Sequence, residues 1–103
     1  MVIVETSVFT RQITGLLRDE EYRAFQEALV RDPKLGEVIP GSGGLRKVRW
    51  ARSGSGKRSG LRIIYYVIDR RGRIYLLLAY PKSSKEDTSA RELRALRDLM
   101  EDV

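Results

Sequence analysis

Apolar and polar residues follow two rhythms along this chain, and the switch between them separates helical from extended stretches. Val2, Ile3 and Val4 open it with a short β segment. Val8, Phe9 and Ile13 then share one helical face, with Thr6 or Ser7 available as the cap and Gly15 as the stop. Tyr22, Phe25 and Leu29 recur at i, i+3 and i+7, which predicts a second helix. Asp19 is its expected cap, Glu20 and Glu21 suit the positive end of its dipole, and Pro33 follows its end. At this spacing Tyr22 and Phe25 belong to a core rather than to a base-stacking surface.

From Gly36 to Gly44 the chain reads as a turn-rich connector, and the period then drops to two. Three extended segments are predicted: Leu45–Ala51, Leu61–Asp69 and Arg73–Tyr80, the last two joined by a tight hairpin at Asp69-Arg-Arg-Gly72. Ile74 to Tyr80 is apolar at nearly every position, as expected of a strand covered on both faces. Ser89 with Glu92 three residues later forms a capping box for a last helix, whose stripe is Leu93, Leu96, Leu99 and Met100. The expected order is β-α-α-β-β-β-α, an α+β domain with helices on one face of a mainly antiparallel sheet.

With 103 residues, 42% of them apolar, the chain can build one core, so residues 1–103 form a single domain. No run of 18 apolar residues occurs, and the first residues lack a basic flank and a cleavage signature. A cytoplasmic protein with no membrane partner is the expectation. Histidine and cysteine are both absent, which excludes zinc sites of the usual kind, thiol nucleophiles and Ser-His-Asp triads. No metal and no cofactor are expected, and the chemistry falls to Lys, Arg, Tyr, hydroxyls and carboxylates.

The net charge of +6 is unevenly spread. Residues 1–40 carry five Lys/Arg against seven Asp/Glu, and residues 86–103 carry three against six. Between them, residues 41–85 hold twelve Lys/Arg against the single Asp69, a net +11, which is a footprint for a polyanion. Ser53-Gly-Ser-Gly-Lys-Arg-Ser-Gly60 suggests a phosphate loop, but Arg58 follows Lys57 where a hydroxyl is required, and Ala51 stands where a glycine is required. What remains is a basic loop whose Lys57 and Arg58 can reach an RNA backbone. Strand parity is more telling. Val48 and Trp50 share one face, Lys47 and Arg49 the other, and Arg62 faces away from Leu61, Ile63, Tyr65 and Val67. Lys47, Arg49 and Arg62 are thus expected to point together to open solvent as a cationic groove, with Lys82 closing one rim.

Three stretches carry a family resemblance: Gly36-x-Val-Ile-Pro-Gly-Ser-Gly-Gly-Leu-Arg-Lys-Val-Arg-Trp50, Gly56-Lys-Arg-Ser-Gly-Leu-Arg-Ile-Ile-Tyr-Tyr66 and Ile74-Tyr-Leu-Leu-Leu-Ala-Tyr-Pro-Lys82. In combination they resemble the HigB branch of the RelE toxin superfamily. The resemblance implies a toxin of a type II toxin–antitoxin system that cuts messenger RNA on the ribosome without metal. Its implied partners are the ribosome, mRNA and a cognate antitoxin, a HigA-like helix-turn-helix protein. It matches Lys47 and Arg49 to the superfamily's basic pair on the first long strand. Arg62 matches the arginine that binds the scissile phosphate, and Lys82 a late acid or charge stabiliser. The superfamily's late substrate-stacking tyrosine has only a loose substitute here, Tyr80. The segment after Lys82 reads Ser-Ser-Lys-Glu-Asp, where many relatives carry Asn-Glu. Two other readings are a ParE-like gyrase poison of the same superfamily and a non-catalytic nucleic-acid-binding module.

Overall fold

The computed structural model of the chain describes residues 1–51, 60–84 and 87–103. Its elements are β1 (Val2–Glu5), α1 (Ser7–Thr14), α2 (Asp19–Arg31), β2 (Glu37–Val38), β3 (Arg46–Trp50), β4 (Leu61–Ile68), β5 (Arg73–Pro81) and α3 (Ala90–Leu99). Five strands form one sheet in the order β1-β5-β4-β3-β2, antiparallel except where β1 runs parallel to β5. The α+β class and the mainly antiparallel sheet are as the sequence predicts.

Three features differ from expectation. β2 lies inside the stretch read as a connector, because two residues between Gly36 and Pro40 are too few to show a period. Gly36 is required there: a Cβ would sit 2.8 Å from the Lys47 carbonyl oxygen, so only a glycine lets this backbone lie against β3. The cap of α2 is Arg18 rather than Asp19, with the Glu21 carboxylate accepting from the Arg18 N–H at 3.1 Å. Finally, the helices do not all share one face.

α1 and α2 cover a face where Phe9, Ile13, Phe25 and Leu29 meet Val48, Leu61, Ile63 and Tyr65. Trp50 sets its ring against the edge of Phe25 at 5.2 Å. α3 covers part of the opposite face, where Met100, Leu93 and Leu96 meet Leu45, Ile64, Tyr75 and Leu77. The nearly all-apolar β5 already implied two covered faces; periodicity alone could not say which helix supplies the second. Ser89 and Glu92 form the expected reciprocal cap of α3. Leu99, expected in its apolar stripe, is 59% exposed. Arg97 pins the helix down: its guanidinium donates to the Gly43 carbonyl at 2.9 Å and lies 4.9 Å from the centre of the Tyr66 ring.

β5 carries one irregularity that shapes the site. Tyr65 pairs with Leu76, but Ile64 pairs with Leu78, leaving Leu77 as an extra residue. Leu77 and Leu78 therefore both lie toward α3, Ala79 returns to the other core, and Tyr80 is turned onto the face of Arg62. β1 ends opposite Leu76, and side chains take over beyond it: Thr6 donates to the Leu77 carbonyl at 3.3 Å, and Gln12 accepts from the Ala79 N–H at 2.9 Å. These contacts supply partners that a longer β1 would have supplied to β5.

Candidate functional site

The register of the middle strands assembles the cationic row. Arg49 stands directly opposite Arg62, Arg62 opposite Tyr80, and Lys47 opposite Ile64. Residues opposite each other across antiparallel strands put their side chains on the same face, so Lys47, Arg49, Arg62 and Tyr80 share one surface. Glu37 joins them from β2, in register with Lys47.

Their environments differ. Arg49 is exposed, Lys47 is half-buried, and Arg62 is only 6% exposed. The expectation that Arg62 points to open solvent is therefore corrected. It sits on the central strand between Arg49 and Tyr80, and its stem is enclosed. Tyr80 departs from expectation in the same direction: it is 5% exposed, and its hydroxyl lies 3.2 Å from the Thr88 hydroxyl. A ring so enclosed offers no open face for base stacking. Lys82 begins the turn after β5, exposed, at the end of the sheet where its N–H donates to the Gly60 carbonyl. Lys57 and Arg58 lie outside the described residues.

The segment leading into α3 brings a carboxylate to the row. Asp87 accepts from the Lys47 ammonium at 2.6 Å. This hydrogen bond and the Lys47 charge hold the Asp87 carboxyl below its ordinary range, and the charges of Arg62 and Arg49 add to the effect. Asp87 therefore lies close enough to feel all three cations. Sequence reasoning counted it with the acidic C-terminal stretch and missed it. The available signal was the Ser89 cap, which fixes where the chain must re-enter the fold and so brings Asp87 back to the sheet. The ion pairs among the described residues are Arg18–Glu21, Lys47–Asp87 and Arg97–Glu101, so neither Arg49 nor Arg62 is matched within 4 Å by a carboxylate of a described residue.

Two arginines opposed across a strand pair repel one another, and burying one of them adds a desolvation cost. A fold that keeps this arrangement has a place for an anion with several acceptor oxygens. Arginine's planar donor fork suits a phosphate or carboxylate, and Lys47 adds a point charge beside it.

A search of solved structures returns a neighbour at a TM-score of 0.58: a chain of the intact E. coli RelBE toxin–antitoxin complex. The fold is RelE-like. The two chains are 15% identical, and the match covers 78% of this chain and 94% of the other. No family model matches the sequence. Among the described residues, no helix is long and apolar enough to cross a membrane.

The surrounding fold explains how the strands that carry the opposed arginines are held. Tyr65, fully buried, donates to the Pro33 carbonyl and accepts from the Gly36 N–H, both at 2.8 Å. Burial raises its pKa above the ordinary value, while the Gly36 hydrogen bond acts in the opposite direction. This hydroxyl ties the entry of β2 to β4 and so sets the edge beside Lys47. Tyr22, half-buried and donating to the Glu5 carboxylate, also has its pKa raised, first by burial, and it secures α2 to β1 rather than serving the site.

Proposed function

We propose that this chain is the toxin of a type II toxin–antitoxin pair, of the HigB-like branch of the RelE superfamily, and that it cleaves messenger RNA on the ribosome. The observation that carries this reading is the row of Lys47, Arg49 and buried Arg62, with two arginines opposed across β3 and β4 and no ion pair of their own among the described residues. A phosphodiester supplies the charge and acceptors that this row lacks.

In the proposed reaction the 2′-hydroxyl oxygen attacks the adjacent phosphorus and loses its proton. The bond from phosphorus to the 5′ oxygen breaks, and that oxygen takes up a proton. The products are a 2′,3′-cyclic phosphate and a 5′-hydroxyl. Arg62 and Arg49 hold the non-bridging oxygens and stabilise the negative charge that grows in the transition state. Lys47 acts as a charged donor, since it already donates to a carboxylate at 2.6 Å. A phosphodiester, with the same charge as Asp87, can take its place as the partner of Lys47. Lys82, exposed at the sheet end, is the candidate for the leaving oxygen. Lys57 and Arg58 are the candidate contacts to the flanking backbone. With no histidine in the chain, much of the rate must come from alignment, which the ribosome would provide. A cognate antitoxin, HigA-like, would hold the activity in check.

Primer extension on messages from cells expressing the chain tests this directly. Cuts confined to translated codons, ending in cyclic phosphate, are expected, with naked RNA nearly untouched. Intact messages alongside inhibited gyrase supercoiling would replace this reading with gyrase poisoning, and RNA binding without cuts would replace it with a binding module.

A further inference from the structure

We infer that the cavity on the β2 side of the cationic row receives a nucleobase of the bound RNA, and that Glu37 selects bases presenting paired hydrogen-bond donors, guanine foremost. The inference rests on the RNA-cleavage reading and deepens it. The cavity has a volume of about 680 Å³, and Lys47 and Arg49 are among the residues that line it. A base seated there belongs to a nucleotide whose phosphate lies within reach of those cations.

The remaining lining suits a flat, partly apolar ring with a polar edge. Leu35 and Val38 are 38% and 49% exposed, although each is an aliphatic side chain, and both border this cavity together with half-buried Trp50. Glu37 borders it as well, in register with Lys47. An acid placed so would ordinarily pair with its cross-strand lysine. Lys47 instead gives its ammonium to Asp87, and no ion pair among the described residues includes Glu37. A carboxylate repels the RNA backbone, so what it offers to RNA is a pair of acceptor oxygens for base N–H groups. Guanine carries two such donors side by side, on N1 and N2. Adenine and cytosine offer an amino group alone, and uracil a single N–H. A charge that only keeps the sheet edge soluble would show no such preference.

Trp50 is the sole tryptophan and lines the cavity, so its emission reports occupancy. Guanosine 3′-monophosphate is expected to bind the purified chain about tenfold more tightly than uridine 3′-monophosphate, the order of one bidentate base contact. Glu37→Gln should bind the two alike, and Glu37→Asp, which keeps the carboxylate, should recover part of the preference. Cut sites mapped in translated messages should show the same pattern, enriched in guanine beside the cut for the parent chain and levelled in Glu37→Gln. Equal nucleotide affinities in the parent chain, or a preference that survives Glu37→Gln, would overturn the subsite while a cutting parent chain keeps the nuclease reading intact. A parent chain that cuts no message overturns the nuclease reading and removes this inference with it.

Discussion

Replacing Arg62 by methionine should make the protein more stable and inactive at once. Methionine keeps the length of the enclosed stem and removes the charge, so packing is largely conserved. Residues opposed across antiparallel strands have Cα atoms about 4.5–5.5 Å apart. With the Arg49 and Arg62 guanidinium groups roughly 6 Å apart, their repulsion is about 3 kcal/mol at an effective dielectric of 20 and about 0.7 kcal/mol in water. Exposed Arg49 places the pair toward the lower figure, and loss of the attraction to Asp87 offsets part of the gain. A net stabilisation of about 1 kcal/mol follows, which for a domain of this size raises Tm by roughly 4–8 °C. Thermal melts of both proteins with and without inorganic phosphate provide the assay. Phosphate at ten times its Kd should stabilise the parent chain by about 1.4 kcal/mol and leave Arg62→Met nearly unmoved. A variant that is less stable by 2 kcal/mol or more, yet still arrests growth, would refute the argument. Arg62 would then be a structural residue with satisfied partners.

Other expectations follow from the same geometry. Gly36→Ala drives a Cβ against the Lys47 carbonyl at 2.8 Å and should cost about 1–3 kcal/mol, visible as a lower denaturant midpoint. Gly41→Ala meets no neighbour within 4 Å and should cost only the roughly 1–2 kcal/mol of its left-handed backbone, at φ +71°. Tyr65→Phe leaves the Gly36 N–H and the Pro33 carbonyl without their partner and should lower stability by about 1–3 kcal/mol, with amide exchange faster at Gly36. The Asp87 carboxyl should titrate below the ordinary aspartate range by NMR and return toward it in Lys47→Ala. Because its folded value is depressed, the contact with Lys47 is fully present at neutral pH and is lost only as pH falls through that depressed value. Asp87→Asn should remove this acid-dependent step.

What the sequence determines by itself is whatever its local periods and charges encode. Phe9, Ile13, Phe25 and Leu29 mark their helices by spacing, Ser89 and Glu92 cap α3 as their pattern requires, and parity places Lys47, Arg49 and Arg62 on one face of β3 and β4. Those relations hold within a segment, where backbone geometry alone decides which side chains are neighbours. The tertiary structure decided the rest. An apolar run such as β5 hides its own bulge, because no alternation is present to be interrupted, and it is the extra Leu77 that turns Tyr80 toward Arg62. The side of the sheet that α3 covers depends on which exposed apolar surface remains after α1 and α2 have packed, and no local signal carries that information. Burial of Arg62, the ion pair of Lys47 with an aspartate forty residues away, and the placement of Glu37 beside Lys47 all depend on segments distant in the chain. Charge counted along the sequence put Asp87 in an acidic tail; folding puts it among three cations, because electrostatic energy depends on distance in space and not on separation along the chain.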